Sequence, residues 1–70
     1  MFIRVQYPKN PSEAAQLIHT YQVNDYLVTY KDDGSIRLFL DGAAHEIAAN
    51  PGVDIFIMND NGKTIDRINV

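Results

Sequence analysis

The chain has 70 residues, of which 46% are apolar and 21% charged, and its formal net charge is −3. These proportions are typical of one globular domain, so we expect a single domain over residues 1–70 and exclude disordered and collagen-like chains. Without cysteine there is no disulfide framework, and because a chain this short would gain stability from self-association, its size suggests the hypothesis of a homodimer. No signal-peptide pattern and no apolar run of about 18 residues is present, which predicts a cytoplasmic protein.

The first predicted elements are a strand and the main helix. Residues 2–7 alternate between two sets of side chains, a pattern typical of a half-buried strand. Asn10 is a preferred capping residue, and Pro11 suits the first turn of a helix, so we expect the helix to begin there and to end near Asn24. One apolar stripe follows helical spacing along it: Ala14, Leu17, Ile18 and Tyr21.

Residues 26–31 and 35–40 are predicted to form a hairpin. Its glycine, Gly34, suits a three-residue loop in which Lys31 faces Ser35. That register places one set of side chains towards the core (Tyr26, Val28, Tyr30, Ile36, Leu38 and Leu40) and another outside (Leu27, Thr29, Arg37 and Phe39). The alternative is a two-residue turn, which would shift every cross-strand partner and mix polar with apolar side chains on the inner face.

A short helix over residues 42–50 is the next predicted element. Asp41 can cap it, and its apolar residues follow helical spacing: Ala43, Ala44, Ile47 and Ala48. It is expected to end at Asn50-Pro51-Gly52.

A second hairpin is predicted at the end of the chain, from residues 53–59 and 63–70. Asn61-Gly62 between them is a strong signal for a two-residue turn. The resulting register pairs Val53 with Val70, Ile55 with Ile68 and, on the outer face, Met58 with Ile65.

These elements occur in the order β-α-β-β-(short α)-β-β. The order predicts an α+β fold in which a mainly antiparallel sheet of four to five strands packs on one main helix.

No pattern of catalytic, cofactor-binding or metal-ligating residues occurs in the chain. His19 and His45 lack the spacing that places two ligands on one helix face. The segment around Asp60 is similar to the middle of a calcium loop, but Ile57 and Ile68 occupy the positions of the acidic first and last ligands. We therefore expect no enzyme, no metal and no cofactor.

The outer face of the predicted sheet is the strongest functional signal. It carries five apolar side chains: Leu27, Phe39, Phe56, Met58 and Ile65. Exposed apolar surface of this extent usually marks a partner site. The sequence thus predicts a non-enzymatic protein-binding module, a small regulator or inhibitor, whose partner is another protein or a second copy. Size alone favours a viral or mobile-element source. Alternatively, the short helix covers this face as a second core layer.

A second hypothesis is a module that binds single-stranded nucleic acid. Phe2 and Phe39 would stack bases, with help from Arg4 and Arg37. The six basic residues are scattered through an acidic chain, which disfavours contact with phosphates.

Overall fold

The computed structural model describes residues 1–8, 17–47 and 52–69, and these ranges contain strands and no helix. The seven strands are β1 (Phe2–Gln6), β2 (Ile18–Gln22), β3 (Tyr26–Tyr30), β4 (Ile36–Leu40), β5 (Ala43–Ile47), β6 (Asp54–Met58) and β7 (Thr64–Asn69). They form a four-stranded sheet, β2-β1-β6-β7, and a three-stranded sheet, β3-β4-β5. All neighbours are antiparallel.

One core lies between the two sheets. The four-stranded sheet contributes Ile3, Val5, Ile55 and Ile57, and the three-stranded sheet contributes Ile36, Leu38, Leu40 and Ile47. In β4 the buried residues alternate with half-buried ones, so each sheet has one inner and one outer face. The fold is therefore an all-β arrangement of two layers, and the predicted α+β fold is wrong.

The second half of the predicted main helix is a strand. Residues 18–22 pair with β1, from Gln6 opposite Ile18 to Phe2 opposite Gln22. Leu17 and Ile18, expected in a buried stripe, are exposed, and Tyr21 is half-buried against the core. This segment is rich in β-branched and aromatic residues, and pairing with β1 overrides the capping pattern before it. The predicted start of the helix and Ala14 lie outside the described residues.

The predicted short helix is also wrong in its described part, because residues 43–47 form β5. Leu40 pairs with Ala43, so the β4–β5 connection has two residues. Both of them have positive φ, 49° at Asp41 and 85° at Gly42, as a type I′ turn requires. Asp-Gly is a preferred sequence for that turn, and here it starts a hairpin rather than capping a helix. Residues 48–51 lie outside the described part.

The β3–β4 register is as predicted. Tyr30 pairs with Ile36, and the Lys31 N–H donates to Ser35 O at 2.9 Å across a three-residue loop. The one departure is Tyr30, which shares the inner side of the strand but is exposed at the strand's end.

The β6–β7 hairpin has the predicted register at the end away from its turn and a different register near the turn. Ile55 pairs with Ile68 as predicted, but Met58 pairs with Thr64 because the register shifts after Ile57. The Asn59 N–H donates to Lys63 O at 2.9 Å, so the loop has three residues, not two. Asn59 Oδ1 favours this loop, since it accepts hydrogen bonds from the Asn61 and Lys63 N–H groups. The expected partner of Val53, Val70, lies outside the described residues.

Within the described ranges, no helix has the length and apolar character needed to cross a membrane.

Candidate functional site

The outer side of the three-stranded sheet carries a row of apolar side chains. Leu27 pairs with Phe39, and Phe39 pairs with Ala44, so the three residues lie side by side across β3, β4 and β5. They point away from the core, because their neighbour Leu38 is fully buried on the other side. Leu27 is 59% exposed. Ala44 is exposed, and Phe39 between the two is half-buried. We call these three residues the apolar row.

A groove lies at one end of the apolar row. It has a volume of about 250 Å³ and is lined by Asp25, Tyr26, Leu27, Phe39 and Gly42. The backbone around it is held by Asp41, whose carboxylate accepts hydrogen bonds from the Asn24 and Asp25 N–H groups at 3.0 and 2.9 Å. The groove is thus a fixed recess of a size that suits one partner side chain.

Charged side chains border the other side of the apolar row. Arg37 pairs with Glu46 across β4 and β5, and its Nε donates a hydrogen bond to the Glu46 carboxylate. Lys31 Nζ lies 3.6 Å from the same carboxylate. The hydrogen bond from Arg37, followed by the charges of Arg37 and Lys31, lowers the pKa of Glu46 below its ordinary value. An apolar centre with a charged border is the usual anatomy of a protein–protein contact.

The β3 edge beside the apolar row is unpaired among the described strands. Tyr30, at its end, is 71% exposed. The Lys31 N–H bonds to Ser35 O, and the Asp41 N–H bonds to Asp25 O, so the odd-numbered residues of this strand bond to β4. The backbone groups of Tyr26, Val28 and Tyr30 therefore point to the free edge. The Tyr26 N–H donates to Asp25 Oδ1 at 2.9 Å.

The structure places the five predicted contact residues on two different sheets. Leu27 and Phe39 are brought together, whereas Phe56, Met58 and Ile65 belong to the four-stranded sheet. The single apolar face expected from the sequence is therefore divided between the two outer faces. The alternative, a short helix lying over this face, is wrong because residues 43–47 extend the sheet as β5.

The second group has one buried, one half-buried and one exposed side chain. Met58 is buried, and the Arg67 guanidinium lies 5.2 Å from the centre of the Phe56 ring. Arg67 also pairs with Asp54 at 3.0 Å, which holds it over the ring. Ile65, 59% exposed, lies at the register shift beside the turn. Only one of these three side chains is thus widely open to solvent.

Sequence reasoning missed Ala44 as a member of the apolar row. It was assigned to a helix, although the Asp41-Gly42 dipeptide is a hairpin signal of the kind recognised at Asn61-Gly62. A two-residue turn at this dipeptide pairs Phe39 with Ala44, as observed.

The two histidines were expected to be isolated, but both rings lie beside the ring of Tyr21. The centre of the Tyr21 ring lies 6.3 Å from that of His19, with the two rings nearly parallel, and 5.1 Å from that of His45. Tyr7 contacts His19 from the other side, edge to face at 6.1 Å. This aromatic ladder joins edge strands of the two sheets. No set of three residues able to hold a metal occurs in the described part of the chain.

The residues of the nucleic-acid hypothesis are not brought together. Phe2 and Arg4 lie on β1 in the four-stranded sheet, and Arg37 and Phe39 lie on β4 in the other. Each sheet therefore offers one aromatic and one arginine of the proposed set.

Comparison with family models, with curated proteins and with solved structures finds no match for this chain.

Proposed function

We propose that this chain is a non-enzymatic protein-binding module, a small regulator or inhibitor that binds another protein through the outer side of its three-stranded sheet. The observation that carries the proposal is the apolar row in the middle of an otherwise polar face, in which Leu27 and Ala44 are exposed and Phe39 is half-buried. The proposal includes the cytoplasmic location expected from the sequence.

The surroundings of the row support this use. Binding energy at protein interfaces is concentrated in a few central apolar side chains, while the polar border excludes water and selects the partner. Phe39 occupies the centre here, and the Lys31, Arg37 and Glu46 charges form the border. The groove beside Leu27 and Phe39 would take one apolar side chain of the partner.

The size of the surface indicates what sort of contact it makes. A stable interface needs about 800 Å² on each partner, more than three side chains supply. The partner must therefore also cover the charged border, or the contact is weak and reversible. Both outcomes fit a regulator that binds a larger protein.

The test uses random peptides displayed on phage, selected against the purified protein and then bound to it in solution. We expect selected peptides to contain an aromatic or aliphatic anchor and to shift the NMR signals of β3, β4 and β5. Ala44→Arg places a charge in the row and should weaken binding at least about tenfold.

The chain offers a matched control. Leu27 and Ile65 are both 59% exposed, on edge strands of different sheets. Leu27→Arg should weaken peptide binding as Ala44→Arg does, whereas Ile65→Arg should leave it unchanged. Peptides whose binding depends on Ile65 and not on Ala44, or whose signals map to the four-stranded sheet, would overturn the proposal.

A further inference from the structure

The free edge of β3 differs from the edges formed by β5 and β7. β5 contains Glu46, and β7 contains Asp66 and Arg67, whereas β2 contains no Asp, Glu, Lys or Arg. Charged side chains on an edge strand protect it from pairing with another chain. β3 has the sequence Tyr-Leu-Val-Thr-Tyr, with no charge, and two of its side chains, Leu27 and Tyr30, are widely exposed. Among the described strands, β2 and β3 are the two edges without this protection.

The backbone of β3 is also complementary to a second copy of itself. Tyr26, Val28 and Tyr30 direct their N–H and C=O groups to the free edge, and these three residues are symmetric about Val28. The Tyr26 N–H donates to Asp25 Oδ1 within one copy, so pairing exchanges that acceptor for a backbone C=O of the other copy. An antiparallel copy centred there pairs Val28 with Val28 and each Tyr26 with the Tyr30 of the other copy. This register pairs all five residues of the strand, whereas a shifted register leaves some of them unpaired.

Charge complementarity selects the same register. Asp25 precedes β3 and Lys31 follows it, so the pairing places Asp25 of each copy opposite Lys31 of the other. The two-fold symmetry produces this opposite-charge pair at both ends of the strand. No like charges face each other in between, because residues 26–30 are uncharged. Cross-strand pairs of opposite charge stabilise an antiparallel pairing, and like charges destabilise it.

We propose that two copies of this chain form a homodimer by antiparallel pairing of their β3 strands, centred on Val28. The pairing joins two three-stranded sheets into one of six strands. Leu27 of each copy then lies beside Thr29 of the other, so both apolar rows lie on one continuous face. The inference goes beyond the proposed function, since it uses the edge of the sheet, whereas the peptide site uses its outer face.

The test is a charge swap measured by sedimentation equilibrium. Lys31→Asp alone, or Asp25→Lys alone, places like charges opposite each other and should weaken the dimer at least about tenfold. The double variant Asp25→Lys with Lys31→Asp should restore it. Within one copy the two residues are separated by about 20 Å of extended strand. A rescue therefore reports contact between copies, and a thermal melt of each variant checks that it is folded.

A second variant blocks the edge without a charge. Tyr30→Pro removes an N–H that points to the free edge and no hydrogen bond of the hairpin, so the variant should fold and be monomeric. A matched swap on another edge, Lys63→Asp with Asp66→Lys on and beside β7, should leave the dimer intact. A wild-type monomer up to millimolar concentration, a dimer that the double swap does not rescue, or a dimer sensitive to the β7 swap would each overturn the inference.

The same variants separate this inference from the proposed function. Ala44 lies on the far edge strand of the three-stranded sheet, so Ala44→Arg should weaken peptide binding at least about tenfold and leave the dimer unchanged. Tyr30→Pro should do the reverse, abolishing the dimer while peptide binding remains. A monomer that binds peptides at the row would overturn the dimer alone, and a dimer without peptide binding would overturn the function alone.

Discussion

Asp25 and Asp41 are hydrogen-bonded to each other in both directions. The Asp25 N–H donates to Asp41 Oδ1 at 2.9 Å, and the Asp41 N–H donates to Asp25 O at 3.0 Å. Asp25 lies where the chain passes from β2 to β3, and Asp41 is in the β4–β5 turn. These bonds therefore hold the β2–β3 connection, which links the two sheets, against the β4–β5 turn beside the apolar row.

Replacing Asp41 should destabilise the protein by about 2 kcal/mol. Asp41→Ala removes an acceptor that bonds two N–H groups and places alanine at a φ of 49°, which alone costs about 1 kcal/mol. Asp41→Gly removes the acceptor and tolerates the φ, so it should cost less than Asp41→Ala. Urea unfolding measures both changes.

The control for Asp41 is Asp32→Ala in the β3–β4 loop. Asp32 is exposed, so this substitution should change the free energy of unfolding by less than about 0.5 kcal/mol. Equal effects of the alanine variants at positions 32 and 41 would contradict the role assigned to Asp41.

Neighbouring residues of β4 should respond very differently to truncation. Leu38 is fully buried, so Leu38→Ala should cost about 3 kcal/mol through lost burial and the cavity left behind. Phe39 faces outwards beside Ala44, so Phe39→Ala should cost clearly less, although phenylalanine is the larger side chain. Urea unfolding of both variants tests whether anything covers the apolar row. Equal losses would mean that Phe39 is packed in a second core.

The register of a hairpin was predictable from the sequence where the turn residues favoured a single turn type. Gly34 after two aspartates indicated the three-residue loop of β3–β4, and the register followed from it, so Leu27 and Phe39 were correctly paired. The same reasoning applied to Asp41-Gly42 would have paired Phe39 with Ala44. The alanines after this dipeptide also fit helical spacing, because short apolar segments fit both periods, and this spacing favours the helix instead.

The β2 segment was mispredicted for a different reason. Capping signals are local, whereas the strand at residues 18–22 exists because β1 lies beside it, and pairing partners distant in sequence leave no local pattern. For the same reason the division into two sheets was not predictable. The expected patch of Leu27 and Phe39 with Phe56, Met58 and Ile65 assumed one sheet, and the second sheet separates its members.

Acid should destabilise the protein through Asp33 and Glu46. The Ser35 hydroxyl and N–H both donate to Asp33 Oδ1, which lowers the pKa of that carboxyl, and Arg37 lowers the pKa of Glu46. A carboxyl whose pKa is lower in the folded state stabilises the fold above its unfolded pKa of about 4, and this contribution is lost as the pH falls through the folded pKa. NMR titration should therefore place both midpoints below the ordinary values.

Two variants separate these carboxyl groups. Ser35→Ala removes the hydroxyl donor, so the Asp33 midpoint should rise towards its ordinary value while that of Glu46 stays low. Arg37→Gln should raise the Glu46 midpoint towards its ordinary value and leave the Asp33 midpoint low. A Glu46 midpoint that stays low in Arg37→Gln would contradict the stated cause.

Two glycines with similar φ should tolerate alanine to different degrees. Gly62 has a φ of 81° with no atom within 4 Å of an added Cβ, so Gly62→Ala should cost only the conformational penalty of about 1 kcal/mol. At Gly52, with a φ of 92°, the added Cβ would meet the Pro8 Cβ at 3.3 Å, and a proline ring has little freedom to move away. Gly52→Ala should therefore cost more than Gly62→Ala in urea unfolding.

Asparagine distinguishes the conformational penalty from the steric contact. Asparagine tolerates a left-handed backbone better than alanine does, so Gly62→Asn should recover most of the loss caused by Gly62→Ala. Gly52→Asn should recover a similar conformational part, but it carries the same Cβ against Pro8 and should remain less stable than the wild type. If the two asparagine variants were equally close to the wild type in stability, the contact with Pro8 would contribute nothing to the requirement for glycine at position 52. A deficit confined to position 52 would instead show that residue 52 packs against Pro8 at the end of β1.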